Sequence, residues 1–131
     1  GRGQMLPLPS SLEKRRGIHE EYRRRLSGVP GLSLLENPDS RYHSNHWLTC
    51  VQVNPEEARF DRETLRLALQ KAGVESRPLW KPMHLQPVFR SCPFYGSGVS
   101  DRLFEQGLCL PSGASLAGED VDRIIDVLLN L

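Results

Sequence analysis

Residues 61–77 read DRETLRLALQKAGVESR, and this stretch decides the fold because it joins a well-marked helix directly to a strand. Asp61 is a helix-capping residue type. The apolar residues after it recur with the spacing of one helix face: Leu65, Ala68, Leu69 and Ala72. Gly73 is the residue type that ends helices in the left-handed conformation. The pattern predicts a helix from Asp61 to Gly73, followed at once by a strand over residues 74–77.

An earlier helix is predicted from a capping box. Ser10 opens the pattern Ser-x-x-Glu, so we expect a helix that begins at Ser11 or Leu12 and stops at Gly28. Two prolines among the first nine residues exclude a continuous helix before it. The apolar stripe of this helix has one residue per turn: Ile18, Tyr22 and Leu26. So narrow a stripe is typical of a helix that keeps most of its surface in water.

The remaining elements complete a small mixed fold. Strands are predicted over residues 32–35 at a sheet edge, over 47–53 and over 108–110. A loop with four prolines leads to a short helix over residues 100–106. The last helix has one apolar face: Val121, Ile124, Ile125 and Leu128. In this order the elements predict an α+β fold, in which helices pack on a small, mostly antiparallel sheet.

Length and composition describe one ordinary domain. The chain has 131 residues, of which 38% are apolar and 25% charged, as in compact globular domains. A net charge of +1 is unlike the strongly basic balance of nucleic-acid-binding domains. Three widely spaced cysteines form no Cys-x-x-Cys pair, and no apolar run approaches the ~20 residues that span a bilayer. We therefore expect a cytoplasmic protein that binds neither membrane nor nucleic acid.

Four blocks of the sequence carry a family resemblance. They are RRGIHEEY at 15–22, SNHWLT at 44–49, ESRPLWKPMHLQP at 75–87 and RLFEQGLCLPSG at 102–113. In order and spacing they resemble the carboxy-terminal small domain of nucleotide-sugar aminotransferases, which are fold-type-I enzymes dependent on pyridoxal phosphate. The Trp-Lys pair within the third block most resembles enzymes that act on UDP-linked 4-keto-6-deoxy amino sugars.

The resemblance implies a division of the chain and a parent enzyme. Residues 1–28 would be a lead-in segment and linker helix from an absent large domain, and residues 29–131 the small domain. The parent would use pyridoxal phosphate to transfer an amino group, from glutamate, to a keto nucleotide sugar for polysaccharide biosynthesis. It would be a cytoplasmic homodimer. In the family the cofactor lysine lies in the large domain, so this chain alone is expected to be inactive and to hold no cofactor.

The third block supplies the expected substrate-binding residues. Its prolines hold the backbone extended, because each fixes its own torsion and keeps its predecessor out of a helix. Arg77 and Lys81 suit phosphate charge, and Trp80 suits a base or sugar face. His84 and Gln86 can hydrogen-bond hydroxyls or the diphosphate. The resemblance adds Asn45, from the second block.

Each of these residues also has a plainer interpretation. Arg77 can pair with a neighbouring carboxylate, and Trp80 can simply pack among prolines. Asn45 can close a turn, and His84 can be an ordinary surface histidine. No residue of this chain is assigned a catalytic role. Its three lysines read as surface or loop residues rather than as a cofactor lysine: Lys14, Lys71 and Lys81.

Three alternative functions remain open at this stage. The chain can be a non-catalytic binding or scaffold module, which the departures from the family at residues 6–9 and at Ala117-Gly118 favour slightly. The basic first helix can contact nucleic acid, although its interleaved glutamates favour a solvated face. His43, His46 and His84 can form a metal site, but no fourth ligand is apparent.

Overall fold

The computed structural model describes all 131 residues and has one four-stranded sheet and six α-helices. The helices are α1 (Arg2–Met5), α2 (Leu8–Leu26), α3 (Pro55–Ala58), α4 (Arg62–Lys71), α5 (Val99–Gln106) and α6 (Gly118–Leu129). The strands are β1 (Leu32–Leu34), β2 (Thr49–Val53), β3 (Arg77–Pro78) and β4 (Gly107–Leu110). Their order is β1-β2-β4-β3 and every pair is antiparallel, which confirms the predicted α+β fold.

The core lies between one face of the sheet and three helices. In β2 the alternate residues Thr49, Val51 and Val53 are buried, because successive side chains of a strand point to opposite faces. Helices α2, α4 and α6 cover that face, and α6 buries the four apolar residues predicted from its periodicity. Each fully buried Leu or Ile contributes about 1.5–3 kcal/mol to the free energy of unfolding. The sheet and these three helices therefore form one packed unit.

The predicted start of the first long helix is wrong by one turn. Helix α2 begins at Leu8, and Pro9 lies within its first turn. Proline is tolerated there because the first backbone N–H groups of a helix have no partner inside it. Ser10 does not cap the helix; its hydroxyl donates to the carbonyl of Pro7 (3.0 Å). The prolines do interrupt the helix, since the short α1 ends at Met5.

Helix α4 confirms its predicted cap and stop, but the strand after it is shorter than expected. Asp61 accepts a hydrogen bond from the backbone N–H of Thr64 (2.7 Å), which lowers the pKa of the Asp61 carboxyl. At the other end the N–H groups of Gly73 and Val74 donate to the last turn, the pattern of a Schellman motif. Since Val74 is used in this way, the strand predicted over 74–77 is reduced to β3 at Arg77–Pro78.

Helix α6 keeps half of a capping box without a capping side chain. Ala117 occupies the N-cap position and offers no oxygen. The Asp120 carboxylate nevertheless accepts a hydrogen bond from the backbone N–H of Ala117 (3.1 Å). The helix therefore retains one of the two contacts of a capping box. No helix of the chain has both the length and the apolar content to cross a bilayer.

Candidate functional site

Most of the predicted site residues lie on the proline loop, residues 79–93, which follows the edge strand β3. Two short 3-10 turns, Met83–Leu85 and Pro87–Phe89, shape its backbone. In the first turn Gln86 N–H donates to the Met83 carbonyl (3.0 Å), and Pro82 beside it is buried. Because its prolines fix their own torsions, the loop presents its side chains from a rigid backbone.

His84 is held in one orientation by two neighbours. Its Nε2 lies 2.7 Å from Oδ1 of Asp101 on α5. Its ring stacks on Phe94, with 3.6 Å between ring centroids. Because a carboxylate can only accept hydrogen bonds, this contact assigns a proton to Nε2. The other ring nitrogen, Nδ1, makes no hydrogen bond within the chain.

Two exposed tryptophans form an aromatic pair at the start of the proline loop. Trp80 is 68% exposed and Trp47, just before β2, is 59% exposed. Their ring centroids are 6.2 Å apart and the rings are tilted by 37°. Large exposed aromatic rings are uncommon on the free surface of a domain and are typical of binding sites. Sequence reasoning singled out Trp80 and passed over Trp47, which it read only as the start of a strand.

The charged and amide side chains of the proposed site make local contacts. Arg77 pairs with Glu75 through two hydrogen bonds of 2.9 and 2.6 Å, but both side chains are largely exposed. A surface pair of this kind contributes little energy and can be exchanged for a phosphate. Lys81 is exposed, and its carbonyl accepts a hydrogen bond from the Gln86 amide (3.4 Å). The Arg77 pairing is the plainer interpretation noted above.

Asn45 lies in the loop before β2 and closes a turn there. Its side-chain oxygen accepts a hydrogen bond from the backbone N–H of Trp47 (3.0 Å). Helix α2 holds the same loop from the other side, where Arg15 donates to the carbonyl of Trp47 and Arg16 to that of Ser44. Asn45 therefore helps to set the backbone that carries Trp47.

Two stacked histidines complete the attachment of this loop. His46 adopts a left-handed backbone (φ +44°), and its ring stacks on the buried His19 of α2 at 3.7 Å. His19 also contacts Thr49 (3.4 Å) and Glu36 (3.3 Å). Burial, together with the charges of His19 and Arg16, lowers the pKa of His46, and Glu36 opposes that shift. A strained, left-handed non-glycine residue here fits a loop whose shape is fixed by its surroundings.

Two cavities adjoin the proposed residues. One, of about 550 Å³, is lined by Arg77 and Trp80 together with Leu48, Ser76, Leu116 and Arg123, among others. The Ser76 hydroxyl is buried there without a partner. A second cavity, of about 390 Å³, is lined by His84 and Phe94. The structure thus brings Arg77 and Trp80 to one cavity and His84 to another, while Asn45, Lys81 and Gln86 line neither.

The residues of the chain do not fit a metal ion or a bound pyridoxal phosphate. His46 stacks on His19 and His84 contacts Asp101, so the three candidate histidines form no common cluster. A lysine that carries this cofactor is normally enclosed with the cofactor ring, whereas all three lysines here are exposed: Lys14, Lys71 and Lys81. None of the three is therefore assigned as the cofactor lysine.

The sequence is similar to sugar aminotransferases along its whole length. The profile of the DegT/DnrJ/EryC1/StrS aminotransferase family matches residues 1–129. EpsN of Bacillus subtilis strain 168, assigned as a pyridoxal phosphate-dependent aminotransferase, is 34% identical over 135 residues, covering 100% of this chain and 34% of EpsN. GDP-perosamine synthase of Vibrio cholerae is 27% identical, covering 99% and 35%. The dTDP-4-dehydro-2,3,6-trideoxy-D-glucose 4-aminotransferase of Saccharopolyspora spinosa is 28% identical, covering 96% and 31%.

Solved structures of aminotransferases share the fold. TlmJ of Streptoalloteichus hindustanus superposes with a TM-score of 0.84 at 27% identity, over 98% of this chain and 33% of TlmJ. DesV of S. venezuelae, solved with a ketimine intermediate, also gives 0.84 at 27% identity, over 98% and 34%. The chain spans about a third of the length of the proteins it matches.

Proposed function

The chain belongs to the DegT/DnrJ/EryC1/StrS aminotransferase family, and on that premise we propose that it builds one wall of the nucleotide-sugar site of a longer aminotransferase. In this role the chain binds and orients the substrate, while the amino transfer takes place on residues outside it. Pyridoxal phosphate supplies the amino-transfer chemistry in such an enzyme. The chain by itself is then inactive, because the family resemblance places the cofactor lysine in the large domain, which this chain does not include.

The pair formed by Trp47 and Trp80 carries this proposal. Two half-exposed indole rings, 6.2 Å apart, offer faces on which a nucleobase or a sugar ring can stack. Both rings stand on rigid backbone, since the loop of Trp47 is held by α2 and the buried Pro82 lies two residues after Trp80. Rigid aromatic groups bind with a smaller loss of conformational entropy than mobile ones.

The polar groups around the pair suit the rest of a nucleotide sugar. Arg77 shares a cavity with Trp80, and Lys81 adjoins Trp80 in the sequence, so both cations can meet a diphosphate. His84 presents Nδ1, which can accept a hydrogen bond from a sugar hydroxyl. Asn45 and Gln86 shape the two loops and extend the polar wall.

We propose a UDP-linked 4-keto-6-deoxy amino sugar as the substrate, on the basis of the Trp80-Lys81 pair. Two of the relatives, from Vibrio cholerae and Saccharopolyspora spinosa, are named for GDP- and dTDP-linked sugars. The nucleotide is therefore the feature to vary in a binding experiment. The further parts of the proposal follow the family resemblance: glutamate as amino donor, a carboxy-terminal position in the parent, a homodimer, a cytoplasmic location and a role in polysaccharide biosynthesis.

Binding of nucleotide sugars to the chain tests the proposal. Titration with UDP-, dTDP- and GDP-linked hexoses should quench tryptophan fluorescence, with UDP the most effective. Trp80→Ala should weaken binding about 5- to 150-fold, since one stacked base contributes roughly 1–3 kcal/mol. Tyr95→Ala is the matched control, because Tyr95 is a large aromatic residue that is 92% exposed and lines neither cavity. Equal affinity of the Trp80 and Tyr95 variants for the nucleotide sugars would show that the aromatic pair does not bind the substrate.

The product of the native gene tests the parent activity. Its intact mass and visible absorbance should show a longer protein with a pyridoxal phosphate band. A native product of the present length with no such band would instead favour the scaffold alternative. That alternative rests on the break between α1 and α2 and on the missing side-chain cap at Ala117.

A further inference from the structure

Two cysteines lie directly opposite one another in the centre of the sheet. Cys50 of β2 and Cys109 of β4 are register partners, and their sulfur atoms are 3.8 Å apart. Both side chains lie on the sheet face opposite Val51 and Thr49, away from the main core. Cys50 is partly exposed and Cys109 is buried, while the third cysteine, Cys92, is exposed on the proline loop.

Backbone hydrogen bonds show which type of cross-strand pair this is. The N–H of Leu35 donates to the carbonyl of Cys50 (2.9 Å), so the backbone polar groups of Cys50 face β1 rather than β4. The N–H of Leu79 donates to the carbonyl of Gly107 (3.2 Å), so the backbone polar groups of Gly107 face β3. Those of Cys109, two residues later on the same strand, face β3 as well. Cys50 and Cys109 therefore form a non-hydrogen-bonded pair, the closer of the two antiparallel pair types.

That geometry suits a disulfide. The Cα atoms of a non-hydrogen-bonded pair are ~4.5 Å apart, within the range of ~4.4–6.8 Å found for disulfides. The sulfur atoms need to approach by less than 2 Å, since an S–S bond is ~2.0 Å long. Rotation about the Cα–Cβ bonds supplies a movement of this size without displacing the strands.

We infer that Cys50 and Cys109 form a reversible dithiol–disulfide site, oxidised by low-molecular-weight disulfides of the glutathione type. One cysteine thiolate attacks a sulfur of the small disulfide, which forms a mixed disulfide and releases one thiolate. The second cysteine then attacks the protein sulfur of that bond and releases the other thiolate. Two protein thiols are oxidised, one small disulfide is reduced to two thiols, and the two protons pass from the cysteines to the released thiolates.

The surroundings of the pair favour this exchange. Cys50 is accessible enough for a small disulfide to reach it, and Cys109 then lies within bonding reach. Hydrogen bonding from Cys50 lowers the pKa of Cys109, while the same bond and burial raise the pKa of Cys50. The first thiolate of the pair therefore forms on Cys109, and a proton passes from Cys50 to Cys109 across the 3.8 Å between the sulfur atoms before the accessible Cys50 attacks.

The position of the site connects it to the proposed substrate wall. Cys109 is also the register partner of Arg77 in β3, and both residues line the cavity of about 550 Å³ that includes Trp80. A bond between β2 and β4 would fasten the two strands on which the Trp47 loop and β3 depend.

Redox titration of the chain followed by mass analysis tests the inference. In glutathione buffers of increasing oxidised fraction, the Cys92→Ser variant should lose two hydrogen atoms in one step. Proteolysis should then yield one linked peptide pair, containing Cys50 and Cys109. Cys50→Ser, in the same background, should form no internal disulfide. Its remaining cysteine, Cys109, should either stay a free thiol or retain a glutathionyl adduct. The oxidised form should melt roughly 5–15 °C higher than the reduced form, because the bond constrains the unfolded chain.

Other results would overturn the inference. In the Cys92→Ser background, two free thiols or two separate adducts under the most oxidising buffer would show that the sulfur atoms do not join. In the unmodified chain, a bond from Cys92 to either sheet cysteine would place the oxidation elsewhere. Cys109→Ser checks the same point if Cys50→Ser fails to fold, since either substitution must abolish the linked peptide.

Discussion

At the residue scale, His46 makes the stability of the fold depend on pH. Its ring is partly buried against His19, and its lowered pKa means that the folded state favours the neutral imidazole. As pH falls below about 6.5, the unfolded chain binds more protons at this position than the folded chain does. The free energy of unfolding must then decrease on acidification. Glu36 opposes the effect, because its charge favours protonated His46.

We therefore predict that His46→Asn reduces the acid-induced loss of stability between pH 7 and pH 5. Asparagine tolerates the left-handed backbone (φ +44°), so the substitution removes the titrating ring without adding backbone strain. Urea unfolding at both pH values measures the difference. His43→Asn is the control, since His43 is exposed and makes no ring contact. An unchanged acid dependence in the His46 variant, matching that of the His43 variant, would contradict the prediction.

His84 shows how a residue proposed from sequence acquires its chemistry from a distant partner. Asp101 is 17 residues away, and the two meet only because α5 packs beside the proline loop. No local pattern marks Asp101, because a surface aspartate in the first turn of a helix is ordinary. The assignment of the His84 proton to Nε2 could therefore come only from the folded chain.

At the element scale, the turn between α2 and β1 depends on a close approach to α3. Gly31 has φ +73°, and a Cβ atom built on it would lie 2.3 Å from the backbone nitrogen of Ala58. Gly28, three residues earlier, has φ +81° with nothing within 4 Å of such a Cβ. The two glycines thus share the same backbone requirement and differ in the space around them.

This contrast predicts different costs for the same substitution. Gly28→Ala should lower the free energy of unfolding by about 1–2 kcal/mol, the cost of a left-handed alanine. Gly31→Ala should lower it by about 1–3 kcal/mol more, because α3 must move away from β1. Denaturant unfolding of the two variants gives both values. If Gly31→Ala costs no more than Gly28→Ala, the packing of α3 on this turn is looser than the structure shows.

Helix α2 illustrates why element boundaries are hard to predict. The Ser-x-x-Glu pattern around Ser10 is a sound N-cap signal, yet the helix begins at Leu8. A start at Leu8, with Pro9 in the first turn, is as compatible with the local sequence as a start after Ser10. The local sequence does not show which of the two starts is the more stable. Strand β3 differs from its prediction for a related reason, since the end of α4 takes the N–H of Val74 that a strand would need.

At the scale of the whole molecule, α2 is part of the core as well as a connection. His19, Tyr22 and Leu26 are buried, and the Tyr22 hydroxyl donates to the carbonyl of Pro111 (3.0 Å). Burial raises the pKa of Tyr22 well above its ordinary value, so the hydroxyl stays protonated as a donor. Our division of the chain at residue 28 remains a proposal about how the domain is connected to its parent.

The packing of α2 predicts the outcome of two truncations. Removal of residues 1–28 should abolish cooperative thermal unfolding, because loss of a buried aromatic residue alone costs roughly 3–5 kcal/mol of a total of about 5–15. Removal of residues 1–6 should leave the melting temperature nearly unchanged, since all six are exposed. Circular dichroism of both truncated chains makes the comparison. A cooperative melt of residues 29–131 would show that α2 is dispensable for the fold.

The sequence by itself determined the periodic elements, the end of α4 at Gly73, the α+β class and the family resemblance. These depend on local spacing and residue type, which a single chain displays directly. The tertiary structure alone decided the Trp47–Trp80 pair, the His84–Asp101 contact, the stacking of His19 on His46 and the opposition of Cys50 and Cys109. Each joins residues at least 17 positions apart. Side-chain contacts at such separations depend on strand register and helix packing, which local patterns do not specify.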